Sequence, residues 1–237
     1  MSDAAVDPKP SGRSTLGEVV RDRPAAAAVF ERIGLEFCCG GDQPLEEACR
    51  ERGLDTDTVL VMLDALPEPG ADESGHDLSR ASIGEICAHI VSEHHERFRG
   101  ESAKLAEIVA TVVRVHGPDH PELADLEDRF TRMRDEMLAH ATREETELFP
   151  AASEASASGA ALDPAILTEL EDDHRGTGQD LAAIRELCDG FDLDRAFCGT
   201  HRLMLMQLRE LERDTHQHVH EENNILFPRI RAELVPA

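Results

Sequence analysis

A chain of 237 residues, 41% hydrophobic and 31% charged, has the make-up of a folded protein with one large domain, or a core domain and a smaller one. Its formal net charge of −25 excludes a nucleic-acid backbone as partner, since polyanions repel. No uncharged apolar run is long enough to span a membrane and no basic-then-apolar leader is visible. A cytoplasmic protein is therefore expected, with Cys38, Cys39, Cys49, Cys87, Cys188 and Cys198 as reduced thiols and no membrane partner.

From Ser14 the pattern is helical. Ser14 is placed to cap Leu16-Gly-Glu-Val-Val, and Pro24 to open a second helix, residues 25–32, stopped by Gly34. Two glycines and a proline make Leu35-Glu-Phe-Cys-Cys-Gly-Gly-Asp-Gln-Pro44 an irregular loop. Pro44 starts a third helix that Gly53 ends, and a fourth runs from Thr56 or Asp57 to Leu66. These four make a small module, residues 14–66, with a thin core. Residues 67–80 form a linker by their proline and glycine content.

Longer helical periods fill residues 81–237. Helix one runs from Ser82 to about Val115, bent at Gly100, and a turn leads to Pro121 at the start of helix two. Helix two ends near Pro150, and a small-residue loop, Ala151 to Leu162, follows. Helix three spans about Asp163 to Gly190, and helix four starts at Asp192 or Arg195 and reaches Arg231 if Pro228 only kinks it. Nothing alternates as a strand would. The expected class is all-α, an antiparallel four-helix bundle behind a small helical module.

One motif occurs twice. His140-Ala-Thr-Arg-Glu144-Glu-Thr-Glu-Leu148-Phe149-Pro150 and His218-Val-His-Glu-Glu222-Asn-Asn-Ile-Leu226-Phe227-Pro228 share register at an offset of 78 residues. Positions i and i+4 lie on one helix face, so each His and Glu can approach one ion together. His95 stands 45 residues before His140, and His174 stands 44 before His218. Equal antiparallel hairpins would bring all six side chains to one level. Four imidazoles and two carboxylates exceed what one tetrahedral zinc needs, whereas two ions bridged by both carboxylates would use them all. Imidazole with hard carboxylate and no thiolate favours iron.

His95, the two His-x3-Glu pairs and His174 resemble the hemerythrin-like family, whose helix bundles hold a non-haem di-iron centre. With Leu35-Glu-Phe-Cys38-Cys39-Gly40-Gly41 in front, the whole chain resembles the RIC (repair of iron centres) family, iron–sulfur cluster repair di-iron proteins of the YtfE/ScdA/DnrN type. The resemblance implies two Fe ions, oxo- and carboxylate-bridged, on His95, His140, Glu144, His174, His218 and Glu222. It departs from oxygen-carrying hemerythrins. Their additional His would fall at Gly178, and their helix-four carboxylate lies five residues after its His, where Glu222 lies four after His218. A more open, more labile site is implied.

The implied function is repair of clusters damaged by nitrosative or oxidative stress, with iron donation ahead of turnover. Damaged or apo iron–sulfur proteins are then the partners and NO or O2 the small ligands, with a homodimer compatible. An NO-reducing oxidoreductase and a non-catalytic O2 or NO sensor are the alternatives; a donor loses iron, the others keep it. A tyrosyl-radical role is excluded, since the chain has no Tyr. Cys38 and Cys39 are expected as redox or iron-transfer thiols, their pKa lowered by loop amides. Of the adjacent pair His94 and His95, only one can face the metal. His89 and His116 are expected beside the site or as packing and loop residues. His216, His220, Glu145 and Glu221 are expected to face solvent, and Cys49, Cys87, Cys188 and Cys198 to be packing residues on helices.

Overall fold

A computed structural model describes residues 9–67, Leu78 and 81–235; residues 1–8 and most of the expected linker lie outside the described residues. The described chain is all-helical apart from its connections and one isolated bridge between Thr15 and Pro44. No described helix is long and apolar enough to cross a membrane. By its contacts the chain divides into two compact units, residues 1–81 with Val219–Pro228, and Ser82–His218 with Arg229–Ala237.

In the first unit, α1 (Leu16–Asp22) is capped by Thr15 rather than Ser14. Glu18 explains the choice. Thr15 Oγ1 accepts from the Glu18 amide (3.3 Å) while Glu18 Oε2 accepts from the Thr15 amide (2.9 Å), a reciprocal box that Ser14 cannot close. Helix α2 (Ala26–Ile33) stops at Gly34, which takes φ +71°. Helices α3 (Leu45–Glu51) and α4 (Thr56–Asp64) complete the set, the latter capped by Asp55. Leu16, Phe30, Phe37, Leu45, Cys49 and Leu63 form its core together with Val219.

The 35–44 loop is held from two sides. The Gly17 amide donates to the Gly41 carbonyl (2.8 Å). Asn224 Nδ2 donates to the carbonyls of Phe37 (3.2 Å) and Cys38 (3.3 Å), and Asn223 Nδ2 also reaches the Cys38 carbonyl (3.1 Å). A Cβ on Gly17 or Gly41 would overlap the Asn224 carboxamide, so both glycines are required by close approach.

In the second unit, α5 (Ile83–Ile90) passes through a π-helical turn, Val91–His95, into α6 (Glu96–His116). The interruption lies at that turn and not at Gly100, which α6 carries without a break. Helix α7 (Glu122–Arg143) continues through a π turn, Glu144–Leu148, into α8 (Phe149–Ser158). Helix α9 spans Ala165–Leu187, and a 3-10 turn, Leu193–Arg195, precedes α10 (Gly199–Glu221). The last helix repeats the pattern of α7, with a π turn Glu222–Leu226 and then α11 (Phe227–Leu234). One apolar core draws Phe98, Leu105, Phe130, Met133, Ile184 and Leu208 from α6, α7, α9 and α10. Asp180 on α9 accepts from Arg129 Nη1 (3.4 Å) and Arg132 Nε (3.2 Å) on α7.

The repeated Leu-Phe-Pro was expected to end helix two, with a loop from Ala151. The helix instead continues to Ser158. Proline has no N–H to give and its ring clashes with the carbonyl four residues back. The turn just before it widens, so that the Phe149 amide donates to Glu144 O and the Phe227 amide to Glu222 O, five residues back. The motif makes a π turn in each copy and lets the helix resume.

Gly41→Ala should lower unfolding stability by about 1–3 kcal/mol, the usual cost of forcing atoms into a filled space. Urea unfolding measures it; an unchanged midpoint would show that Asn224 can move aside freely.

Candidate metal centre

Each candidate side chain occupies a defined place on these helices. His95 ends the first π turn, His140 lies on α7, and Glu144 opens the second π turn. His174 lies on α9, His218 on α10, and Glu222 opens the third π turn. All six are buried, Glu144, His174 and Glu222 completely. Their potential ligand atoms fall into two groups, His95, Glu144, His218 and Glu222 in one and His140, Glu144, His174 and Glu222 in the other. Both carboxylates are shared. This is the arrangement a dinuclear metal site requires.

The ring orientations show how the groups are aimed. His95 Nδ1 lies 2.7 Å from Glu145 Oε1, which turns Nε2 inward, 3.2 Å from His218 Nε2 and 3.3 Å from Glu144 Oε2. His140 Nδ1 faces Asp173 Oδ2 (3.4 Å), which turns its Nε2 toward His174 Nε2 (2.9 Å) and Glu144 Oε2 (3.4 Å). A neutral imidazole that donates from Nδ1 offers only a lone pair at Nε2. Those lone pairs meet carboxylate lone pairs, and neither oxygen of Glu144 receives a hydrogen bond. A buried pocket where acceptors face acceptors is unfavourable until a cation enters. The donor set therefore fits two metal ions of the kind that imidazole and carboxylate bind.

Glu145 corrects an expectation. It is half-buried rather than fully solvated, and it pairs with His95 and with Arg99 Nη2 (2.8 Å). Burial works to raise its pKa, but Arg99 and His95 outweigh it and hold the carboxyl below the usual range. Asp173 is held low chiefly by its bond to His140. Glu145 and Asp173 thus orient the His95 and His140 rings, as carboxylates do beside imidazoles that bind metals. No signal in the i, i+4 pattern marks them, because they pair across helices 50 and 33 residues apart.

Other residues also differ from expectation. His220 and Glu221 are buried, not solvated, at 1% and 6% exposure. The His220 ring packs edge-on to Phe37 at 5.7 Å, and burial pushes its pKa down to about 4, so a neutral Nδ1 faces Asn224 Nδ2 at 3.1 Å. His94 turns from the two groups and stacks on the His218 ring at 5.2 Å, with His89 5.9 Å away. His116 belongs to neither group. Its Nε2 lies 3.2 Å from the sulfur of Cys198, which stands just ahead of α10 rather than within a helix.

The dithiol loop departs furthest. Cys38 is buried and donates to Glu36 Oε1 at 2.8 Å, with Cys39 Sγ 3.9 Å away. Its pKa is raised well above that of a free thiol, first by Cys39, then by burial and by Glu36. The lowered pKa expected from nearby amides is thus reversed, because two acidic neighbours and desolvation outweigh those amides. Glu36, Cys38 and Cys39 nevertheless bring three potential ligand atoms within 4.8 Å of one another.

Two family profiles match the chain: ScdA_N, described as a domain of unknown function (DUF542), over residues 12–67, and the hemerythrin HHE cation binding domain over residues 88–230. A Staphylococcus haemolyticus protein named iron-sulfur cluster repair protein ScdA is similar, 36% identical over 219 residues, 92% of this chain and 97% of its own. One from Dickeya chrysanthemi, named iron-sulfur cluster repair protein YtfE, is 33% identical over 216 residues, 91% of this chain and 95% of its own. A YtfE of Escherichia coli O81 is 31% identical over 217 residues, 92% and 96% of the two chains.

Glu145→Ala frees the His95 ring and should weaken metal affinity about 10- to 100-fold, the usual effect of losing such a partner. Competition against a chromophoric chelator reads this, with the exposed Glu147→Ala as control. Equal retention in both variants would return Glu145 to a surface role.

Proposed function

This chain belongs to the family of the ScdA and YtfE iron–sulfur cluster repair proteins, and from that premise we propose that it restores damaged clusters by supplying iron. His95, His140, Glu144, His174, His218 and Glu222 would hold two non-haem iron ions, with Glu144 and Glu222 shared between them. The observation that carries this reading is the pair of buried groups sharing Glu144 and Glu222. When bound, the irons supply a transferable store and open positions for NO or O2.

The chain's own residues make that store both specific and releasable. Glu145 and Asp173 fix which ring nitrogens face inward. No thiolate stands among the six ligands, and soft, charged sulfur would bind iron more firmly. Glu36, Cys38 and Cys39 form a second donor group, suited to receive an ion in passing. Protonated Cys38 gives up its proton when an ion binds, so the loop takes up metal against a pH-dependent cost and releases it again. The acceptors are apo or damaged iron–sulfur proteins, and nitrosative or oxidative stress supplies the damage.

Protein purified without air should carry about two irons per chain and, once oxidised, an oxo-bridge band in the near ultraviolet. Isotopically labelled iron should then appear in an added apo iron–sulfur enzyme. Glu144→Ala or Glu222→Ala should abolish retention, and Cys38→Ser with Cys39→Ser should leave the irons bound but slow their transfer. Stoichiometric zinc in place of iron, or iron that stays through repeated NO consumption, would overturn the donor reading.

A further inference from the structure

A second cluster of chemically active side chains lies in the four-helix unit, remote from the metal centre. The 21 residues of α6 separate His116 from His95, about 32 Å by helix rise. Cys198 caps the N-terminus of α10. Its carbonyl accepts from the Arg202 amide (2.9 Å) and its sulfur from the His201 amide (3.4 Å). His116 Nε2 approaches the same sulfur to 3.2 Å. The adjoining Phe197, 40% exposed, is sandwiched between the rings of His120 (3.7 Å) and His201 (4.2 Å).

The two imidazoles nearest the sulfur are not equivalent. His201 Nδ1 accepts the Phe197 amide at 3.1 Å. Burial, with His116 and His120 adding to it, holds His201 below the usual histidine range, so it stays neutral and acts as an acceptor. His116 has its Nε2 on the sulfur itself. A thiol with an imidazole at hydrogen-bond distance is the arrangement in which a base takes the proton as the sulfur attacks. Cys198 is half-buried and flanked by exposed residues, Phe197 on one side and Gly199 and Thr200 on the other. Cys188, on the same connection, is buried, and desolvation pushes its pKa up to about 12.

We infer that Cys198 and His116 form a thiol–imidazole pair that exchanges with low-molecular-weight disulfides, a modification site separate from the metal centre. The Cys198 S–H bond breaks and its proton passes to His116 Nε2. The sulfur attacks one sulfur of the disulfide; a new S–S bond forms, the old one breaks, and the departing thiolate takes the proton back from His116. Cys198 is oxidised to a mixed disulfide and one equivalent of small thiol is released. The exchange needs no metal and stands independently of the iron-supply reading.

The test uses the full iron-loaded chain with oxidised glutathione as probe, quenched at intervals and mapped by peptide mass to give a rate at each cysteine. Cys198 should be capped at least about tenfold faster than Cys188, and His116→Gln should slow Cys198 about tenfold or more while Cys38 and Cys39 keep their rates. His116→Ala is the second variant, in which free imidazole should restore part of the lost rate at Cys198 alone. Capping of Cys198 no faster than of Cys188 in the unaltered chain overturns the proposal by itself. So does a Cys198 rate that neither substitution changes.

Discussion

The structure turns on one constraint, the burial of Glu144 and Glu222 among four inward-facing imidazoles. Neither oxygen of Glu144 receives a hydrogen bond; a carboxylate taken out of water without donors costs several kcal/mol, and the lone pairs of the neighbouring His95 and His140 rings add to that cost. No apolar packing relieves it, since the offending atoms face each other across the pocket. A cation does relieve it, and its binding free energy then becomes folding free energy. The carboxylates outside the pocket complete the logic. Glu145 and Asp173 meet Nδ1 of His95 and His140, which turns Nε2 of each ring toward Glu144.

Holding six side chains at one level requires helices that can be re-phased locally, and the π turns provide this. Each holds a residue of the two His/Glu groups: His95 closes the first, while Glu144 and Glu222 open the others. An extra residue in a turn shifts every later side chain around the helix axis. The prolines at 150 and 228 make two of these turns the favoured geometry, because a regular turn there would place a ring against a carbonyl. The same residues therefore shape the site and allow α8 and α11 to continue.

Much of this was legible in the residues because it depends on short-range periodicity. His140 with Glu144, and His218 with Glu222, follow from i, i+4 spacing, and the near-equal distances to His95 and His174 follow from hairpins of equal length. What escaped depends on contacts between distant segments. Glu145 finds His95 and Arg99 on another helix; His220 packs against Phe37, more than 180 residues away in the chain. Proline at 150 read as a stop because the remedy, a carbonyl bonded five residues on, leaves no mark of its own in the residue pattern. Cys38 read as an activated thiol because Gly-Gly amides are visible in the residues, whereas burial and the turn of Glu36 toward the sulfur are not.

The segment Val219–Pro228 links these observations. It carries Glu222, and the next two residues, Asn223 and Asn224, hold the carbonyls of Phe37 and Cys38. Gly17 and Gly41 lack side chains where that clasp closes. An Asn224 carboxamide that donates to two carbonyls and also meets neutral His220 Nδ1 has little freedom to rotate, so the loop bearing Glu36, Cys38 and Cys39 is located by the backbone that positions Glu222. A loop held only by its own turns would let its thiols wander and meet oxidants singly. Fixed through its carbonyls, it keeps three donor atoms within 4.8 Å while leaving their side chains unclaimed by the clasp. Any change that rebuilds the Glu222 turn must therefore also move the dithiol, because Asn223 and Asn224 follow Glu222 directly and hold the Phe37 and Cys38 carbonyls.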